Sequence, residues 1–201
     1  MTEPIVFQAP EVAQHGDTYI LWRAHCGVCE LCLVGLESWC SRNEPPRAGD
    51  PRWGEPFRTH SPGATARSVS RVATVLDLID AWDETEPTVL VVGAEGDSPH
   101  IVTMLEHCGV QVVAEPHIEG TRLSQRCRED LSSLSPSGRA DIAVTFGGKL
   151  AVCARWVRRS GAVASAVPSS PEPDLDSLTM RELTILSPRR SHHWVEKVAV
   201  R

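Results

Sequence analysis

Four cysteines fall within fifteen residues, in the segment CGVCELCLVGLESWC, at Cys26, Cys29, Cys32 and Cys40. Thiolates gathered this closely can complete a tetrahedral shell around zinc at about 2.3 Å per bond, leaving no position open for substrate. A structural zinc is therefore expected, one per chain. Gly27 and Gly35 lie inside the gaps, where tight turns must swing the sulfurs inward. The stretch that follows, NEPPRAGDPRWGEP, shows no helical or strand period, so metal binding would supply the ordering energy it lacks. An iron–sulfur cluster fits poorly, because the common bacterial spacing ends in C-x3-C-P and Cys40 is followed by Ser41. His25 adjoins the first ligand and is read as a solvated neighbour.

The rest of the chain reads as an ordinary folded protein. Of 201 residues, 41% are hydrophobic and 23% charged, which excludes a disordered chain. The formal net charge of -6 and the scattering of arginines among acids argue against a nucleic-acid partner. No apolar run is long enough to span a bilayer, and MTEPIVFQAPEVAQ does not read as a signal peptide. A cytoplasmic protein without a membrane partner is expected, and in a reducing compartment the seven cysteines are read as metal ligands or small core residues.

Pattern divides the chain into a small β and zinc-binding lobe over residues 1–64 and an α/β domain over 65–201. In the first, Ile5 to Phe7 and Tyr19 to Trp22 read as strands around the turn His15-Gly16-Asp17. In the second, Val69, Val72, Leu76 and Ile79 recur at helical spacing, with Val75 and Trp82 beside them. From Thr88 strand and helix alternate: TVLVVG, a helix through Met104 to His107, VQVVAE, a polar helix around Leu123 to Leu131, ADIAVTF, a helix KLAVCARWVRR, GAVASAV and ELTIL. This alternation predicts a Rossmann-like, mostly parallel, doubly wound sheet covered on both faces.

CGVCELCLVGLESWC, preceded by GDTYIL, resembles the structural-zinc lobe of the medium-chain zinc alcohol dehydrogenases. TVLVVGAEGDSPHIVTMLEHCGVQVVAE resembles the first nucleotide-binding βαβ unit of that family, GRADIAVTFGG its later strand and RELTILS its last. The resemblance implies a dehydrogenase fold over roughly residues 15–190, with ELTIL able to extend a sheet across a dimer axis. A homodimer, or a complex with a full-length dehydrogenase, is the expected assembly. The family's catalytic zinc is held by an upstream Cys and a Gly-His-Glu histidine; only 25 residues precede Cys26, and no Gly-His-Glu occurs in the sequence. Glu55, in Gly54-Glu55-Pro56, is read as a solvated loop residue rather than a third ligand.

The phosphate turn departs from G-x-G-x-x-G as well, reading Gly93-Ala94-Glu95-Gly96-Asp97-Ser98. Gly93 and Gly96 remain as candidate cofactor contacts, together with Glu115, which ends the second strand where an acidic residue would hold a ribose hydroxyl. Glu95 and Asp97 place two anions where a pyrophosphate would lie. One carboxylate some 4 Å from a phosphate charge costs on the order of 4 kcal/mol at an effective dielectric of about 20, so NAD(P) is not expected to bind in the usual pose. Pro116-His117 has no assigned role. Cys108 and Cys153 read as buried core residues, Cys127 sits among charges, and His192-His193 reads as a surface pair.

Two functions remain. In one, the dehydrogenase reaction has been lost and the chain serves as a ligand- or partner-binding protein. In the other it is an enzyme of specialised metabolism, either an NAD(P)-dependent oxidoreductase or an acid/base catalyst using Glu95, Asp97, Glu115 and His100 at the strand ends.

Overall fold

The computed structural model describes residues 11–22, 25–34, 40, 53–82, 85–117, 122–147, 150–166, 179–186, 188 and 191–200. Within these, a hairpin of β1 (Glu11–His15) and β2 (Thr18–Trp22) turns at Gly16-Asp17. The strand expected at Ile5 to Phe7 lies outside the described residues. A short helix, α1 (Glu30–Leu33), carries the middle of the cysteine cluster. β3 (Trp53–Thr59) then pairs antiparallel with β2. No strand was expected there: Gly54 and Pro56 are poor strand formers, and most side chains of this strand stay exposed, so no buried alternation marks it.

The helix predicted from Val69, Val72 and Leu76 is α2 (Ala66–Asp80). Its first turn is closed by Thr65, whose side chain accepts from the Ser68 amide while the Ser68 hydroxyl accepts from the Thr65 amide. Thr65→Ala should cost about 1 kcal/mol through loss of this cap, which a denaturant titration would read as a lower midpoint.

The parallel sheet follows the predicted alternation, with β4 (Thr88–Val92), α3 (Ser98–His107), β5 (Gln111–Glu115), α4 (Gln125–Leu134), β6 (Ala140–Thr145), α5 (Leu150–Arg155), β7 (Val157–Ser165) and β8 (Thr184–Leu186). The strand order is β5-β4-β6-β7-β8, all parallel. Leaving β4 in one direction and returning from β5 in the other, right-handed crossovers place α3 on one face and α4 and α5 on the opposite face. The core accordingly has two halves. Val89, Val91, Ile142 and Val144 pack with α2 and α3, while Leu90, Val92, Ala143 and Val163 pack with Leu131 of α4 and Cys153 of α5.

One boundary differs from expectation. The helix read through Val157-Arg158-Arg159 stops at Arg155, and those residues already belong to β7. Ala140 pairs with Val157 but Ile142 pairs with Ala162, so β7 bulges by three extra residues around Ser160, whose φ is 58°. Nothing in the sequence interrupts the apolar spacing between the helix and this strand.

After β8 a 3-10 turn (Ser191–Trp194) leads into α6 (Val195–Val198), and β9 (Ala199–Val200) pairs with Arg58 and Thr59 of β3. The last strand therefore crosses the boundary drawn at residue 64 and completes the small sheet β1-β2-β3-β9. Val195 and Val198 are buried in the α2 side of the core, so the C-terminal segment fastens the two sheets together. Among the described residues no helix is long and apolar enough to cross a membrane.

Candidate functional site

The four sulfurs predicted as ligands do come together, all within 4.8 Å of one another. Sγ of Cys29 lies 3.4 Å from that of Cys32 and 3.8 Å from that of Cys40, and Sγ of Cys26 lies 4.0 Å from that of Cys32. A tetrahedral zinc with bonds of about 2.3 Å sets its sulfurs about 3.8 Å apart, so the cluster fits the ion. Backbone amides are aimed at sulfur as a thiolate requires: Cys26 N–H donates to Cys40 Sγ and Cys29 N–H to Cys26 Sγ, each at 3.3 Å. Without a metal, the Val28 amide leads the hydrogen bonds that draw the Cys26 thiol down to about 6, whereas burial pushes Cys32 up to about 12. Among the described residues of the cluster apolar burial contributes little, since Val28, Leu33 and Val34 are 68%, 74% and 64% exposed.

A second candidate lies where the order of the parallel strands reverses, at the carboxyl ends of β4 and β6, the usual ligand position in open α/β sheets. A cleft of about 560 Å³ opens there, lined by Arg67, Arg71, Val92, Gly93, Glu95, His117 and Gly147. Gly93 and Gly96 take φ of 73° and 74°, so the turn keeps the two left-handed positions for which glycine is suited. Arg67 and Arg71 reach the cleft from successive turns of α2. Both end on Asp97: Arg71 Nη1 lies 2.8 Å and Arg67 Nε 3.0 Å from Oδ2. Thr65 Oγ1 donates to Oδ1 at 3.0 Å. Arg71 also stands over the Phe146 ring at 5.1 Å, and its burial lowers its pKa.

This overturns part of the electrostatic argument made from sequence. Asp97 is 2% exposed and spent on two guanidinium groups, so it does not confront a ligand as a free anion. Glu95 remains exposed, and His117, which had no assigned role, meets its Oε1 through Nδ1 at 2.7 Å. Arginines 67 and 71 were not singled out in the sequence; their four-residue spacing on the polar side of α2 was the available signal.

The acids do not converge into one cluster. Glu115 is buried and turned away, its Oε2 accepting from the Ser124 amide at 2.6 Å at the start of α4, and it lines a neighbouring groove with Cys127. His100 Nδ1 pairs with Ser61 Oγ at 2.9 Å. Glu55 is exposed, within β3 rather than a loop, and His193 is exposed; the His192 side chain lies outside the described residues. Cys127 and Cys153 are buried, and burial pushes each thiol up to about 12; Cys108 is half-buried.

No protein-family model and no curated protein sequence matches the chain. Solved structures do. An acetophenone reductase from Geotrichum candidum in complex with NAD matches at a TM-score of 0.51 and 15% identity, over 86% of this chain and 59% of that one. A short chain alcohol dehydrogenase from E. coli CFT073 complexed with cofactor NADH matches at 0.56 and 14%, over 89% and 64%. The fold is that of the alcohol dehydrogenases. An alcohol dehydrogenase from Thermus sp. ATN1 agrees, at 0.55 and 18%, over 92% and 67%. The chain spans less than two thirds of the first two proteins, and within the shared alcohol-dehydrogenase fold its cleft is framed by β4 and β6.

Proposed function

We propose that this chain is a zinc-stapled module of alcohol-dehydrogenase fold that binds a small molecule in the cleft at the ends of β4 and β6, and that its own residues do not carry out the dehydrogenase reaction. The observation that carries this reading is the cleft itself, open and lined by fixed charges of both signs but by no cysteine. When bound, zinc at Cys26, Cys29, Cys32 and Cys40 would hold the lobe in shape; four thiolates fill its shell and leave no place for a substrate oxygen. Among the described residues this is the only group of three or more metal-ligating side chains.

A second reading, an NAD(P)-dependent oxidoreductase, draws support from the neighbours solved with NAD and NADH. Titration of the metal-analysed protein with NAD(H) and NADP(H), followed by thermal shift and nicotinamide fluorescence, separates the two. The proposal expects no saturable binding up to about millimolar, which corresponds to a binding free energy weaker than about 4 kcal/mol. Saturation in the micromolar range would replace it with the oxidoreductase reading.

A further inference from the structure

The most unusual grouping outside the cysteine lobe is the one behind the cleft. Two cations line the cleft, and both are ion-paired with the same oxygen of a carboxylate that solvent hardly reaches. Arg67 and Arg71 have donors enough to hold a phosphate between them, as arginine pairs commonly do. Asp97 already occupies that role from within the chain, and Thr65 fixes its other oxygen. Glu95 adds an exposed carboxylate on the cleft wall. The two positive charges are therefore matched by two negative ones before any ligand arrives.

We infer that Asp97 is a built-in anion that holds Arg67 and Arg71 and so excludes phosphate esters from the cleft, restricting it to uncharged or singly charged ligands. The inference rests on the proposed reading of the cleft as a ligand site, and makes Asp97 its specificity-determining residue. A carboxylate that only tied α2 to α3 would affect stability when neutralised, but would not govern affinity for an anion.

The test is calorimetric titration of the zinc-loaded full chain with inorganic pyrophosphate and with ADP, at low ionic strength and about pH 8, above the ordinary histidine range. Asp97→Asn keeps the side-chain shape and can still accept from Thr65. It is expected to bind both probes at least about tenfold more tightly than the wild type, because one buried negative charge has been removed beside the arginines. The double variant Asp97→Asn with Arg67→Gln should lose most of that gain. A folded Asp97→Asn protein with no gain overturns the inference, as does a gain that survives loss of Arg67. A reading independent of whether the variant folds comes from the wild type. Its arginine Nε–H resonances for Arg67 and Arg71 should stay unmoved by pyrophosphate, and saturable movement overturns the inference. Micromolar binding of NAD(H) by the wild type would overturn both readings together, whereas a folded Asp97→Asn protein without gain, in a chain that binds no cofactor, overturns this inference alone.

Discussion

Stripping the metal is expected to release one zinc per chain and to abolish the order of residues 25–34 and Cys40 while leaving the parallel sheet folded. The reason is the unequal sharing of stabilisation between the two parts. The sheet is held by Val89, Leu90, Val91, Ile142 and Val144, all fully buried, whereas α1 buries Cys32 and exposes Leu33. Structural zinc sites contribute apparent binding energies on the order of 10–16 kcal/mol, far more than the few apolar contacts of this lobe can offer. Cys40→Ser should therefore cost on the order of the whole site rather than a quarter of it, because the remaining sulfurs no longer close the tetrahedron. Acid should act in the same direction, since each sulfur binds as thiolate and protons compete with the ion as pH falls. Metal analysis together with hydrogen exchange over residues 25–34 would check this. An unchanged exchange pattern in zinc-free protein would show that the lobe orders itself without the ion.

What the sequence made legible follows from how local each signal is. The cysteine spacing brings its ligands together over fifteen residues, and the apolar runs of β4, β5 and β6 announce buried parallel strands without help from distant chain. The parts that escaped are those decided by partners far away in sequence. β3 and β9 are recognisable only once they lie beside one another, more than a hundred residues apart, and β9 is two residues long. The charge at the phosphate turn was misjudged for the same reason. Glu95 and Asp97 look alike as two acids in one loop, yet the fold sends Asp97 inward to Arg71, 26 residues earlier, and leaves Glu95 on the surface with His117. A count of charges in the loop could not show that.

That distinction also explains why the turn is neither an intact phosphate loop nor simply a repellent one. Gly93 and Gly96 preserve the backbone path, and Gly147 lines the cleft beside Gly93. The charges that line it are mutually satisfied. Such a cleft favours a ligand that does not have to displace the buried Arg71–Asp97 pair, since breaking a buried pair leaves an uncompensated charge at a cost of roughly 3–5 kcal/mol. Shape retained with charge cancelled is the combination on which the proposed change of ligand rests.

Gly161→Ala should destabilise the protein by roughly 3 kcal/mol, at the upper end of what overpacking a well-filled core costs. Gly161 follows the bulge of β7 and is pressed against three neighbours. An added methyl would overlap Cγ1 of Val157 and stand 2.6 Å from the Asp141 carbonyl oxygen and 3.0 Å from that of Arg158. Two of these three are backbone atoms and the third belongs to Val157, fully buried in β7, so relief requires β6 and β7 to separate. Those strands carry the centre of the parallel sheet, where Ile142, Ala143 and Val144 pair with Ala162, Val163 and Ala164. For a chain of this size a loss of that magnitude lowers the melting temperature by about 6–12 °C. Ser160→Gly at the adjacent residue provides the contrast. Ser160 has a φ of 58°, a conformation glycine adopts freely, and its exposed hydroxyl donates only to exposed Glu182 at 3.2 Å. That substitution should change stability by less than about 1 kcal/mol. Equal effects at the two positions would mean that the bulge yields as a unit, and that close packing at Gly161 does not fix the register of β7 on β6.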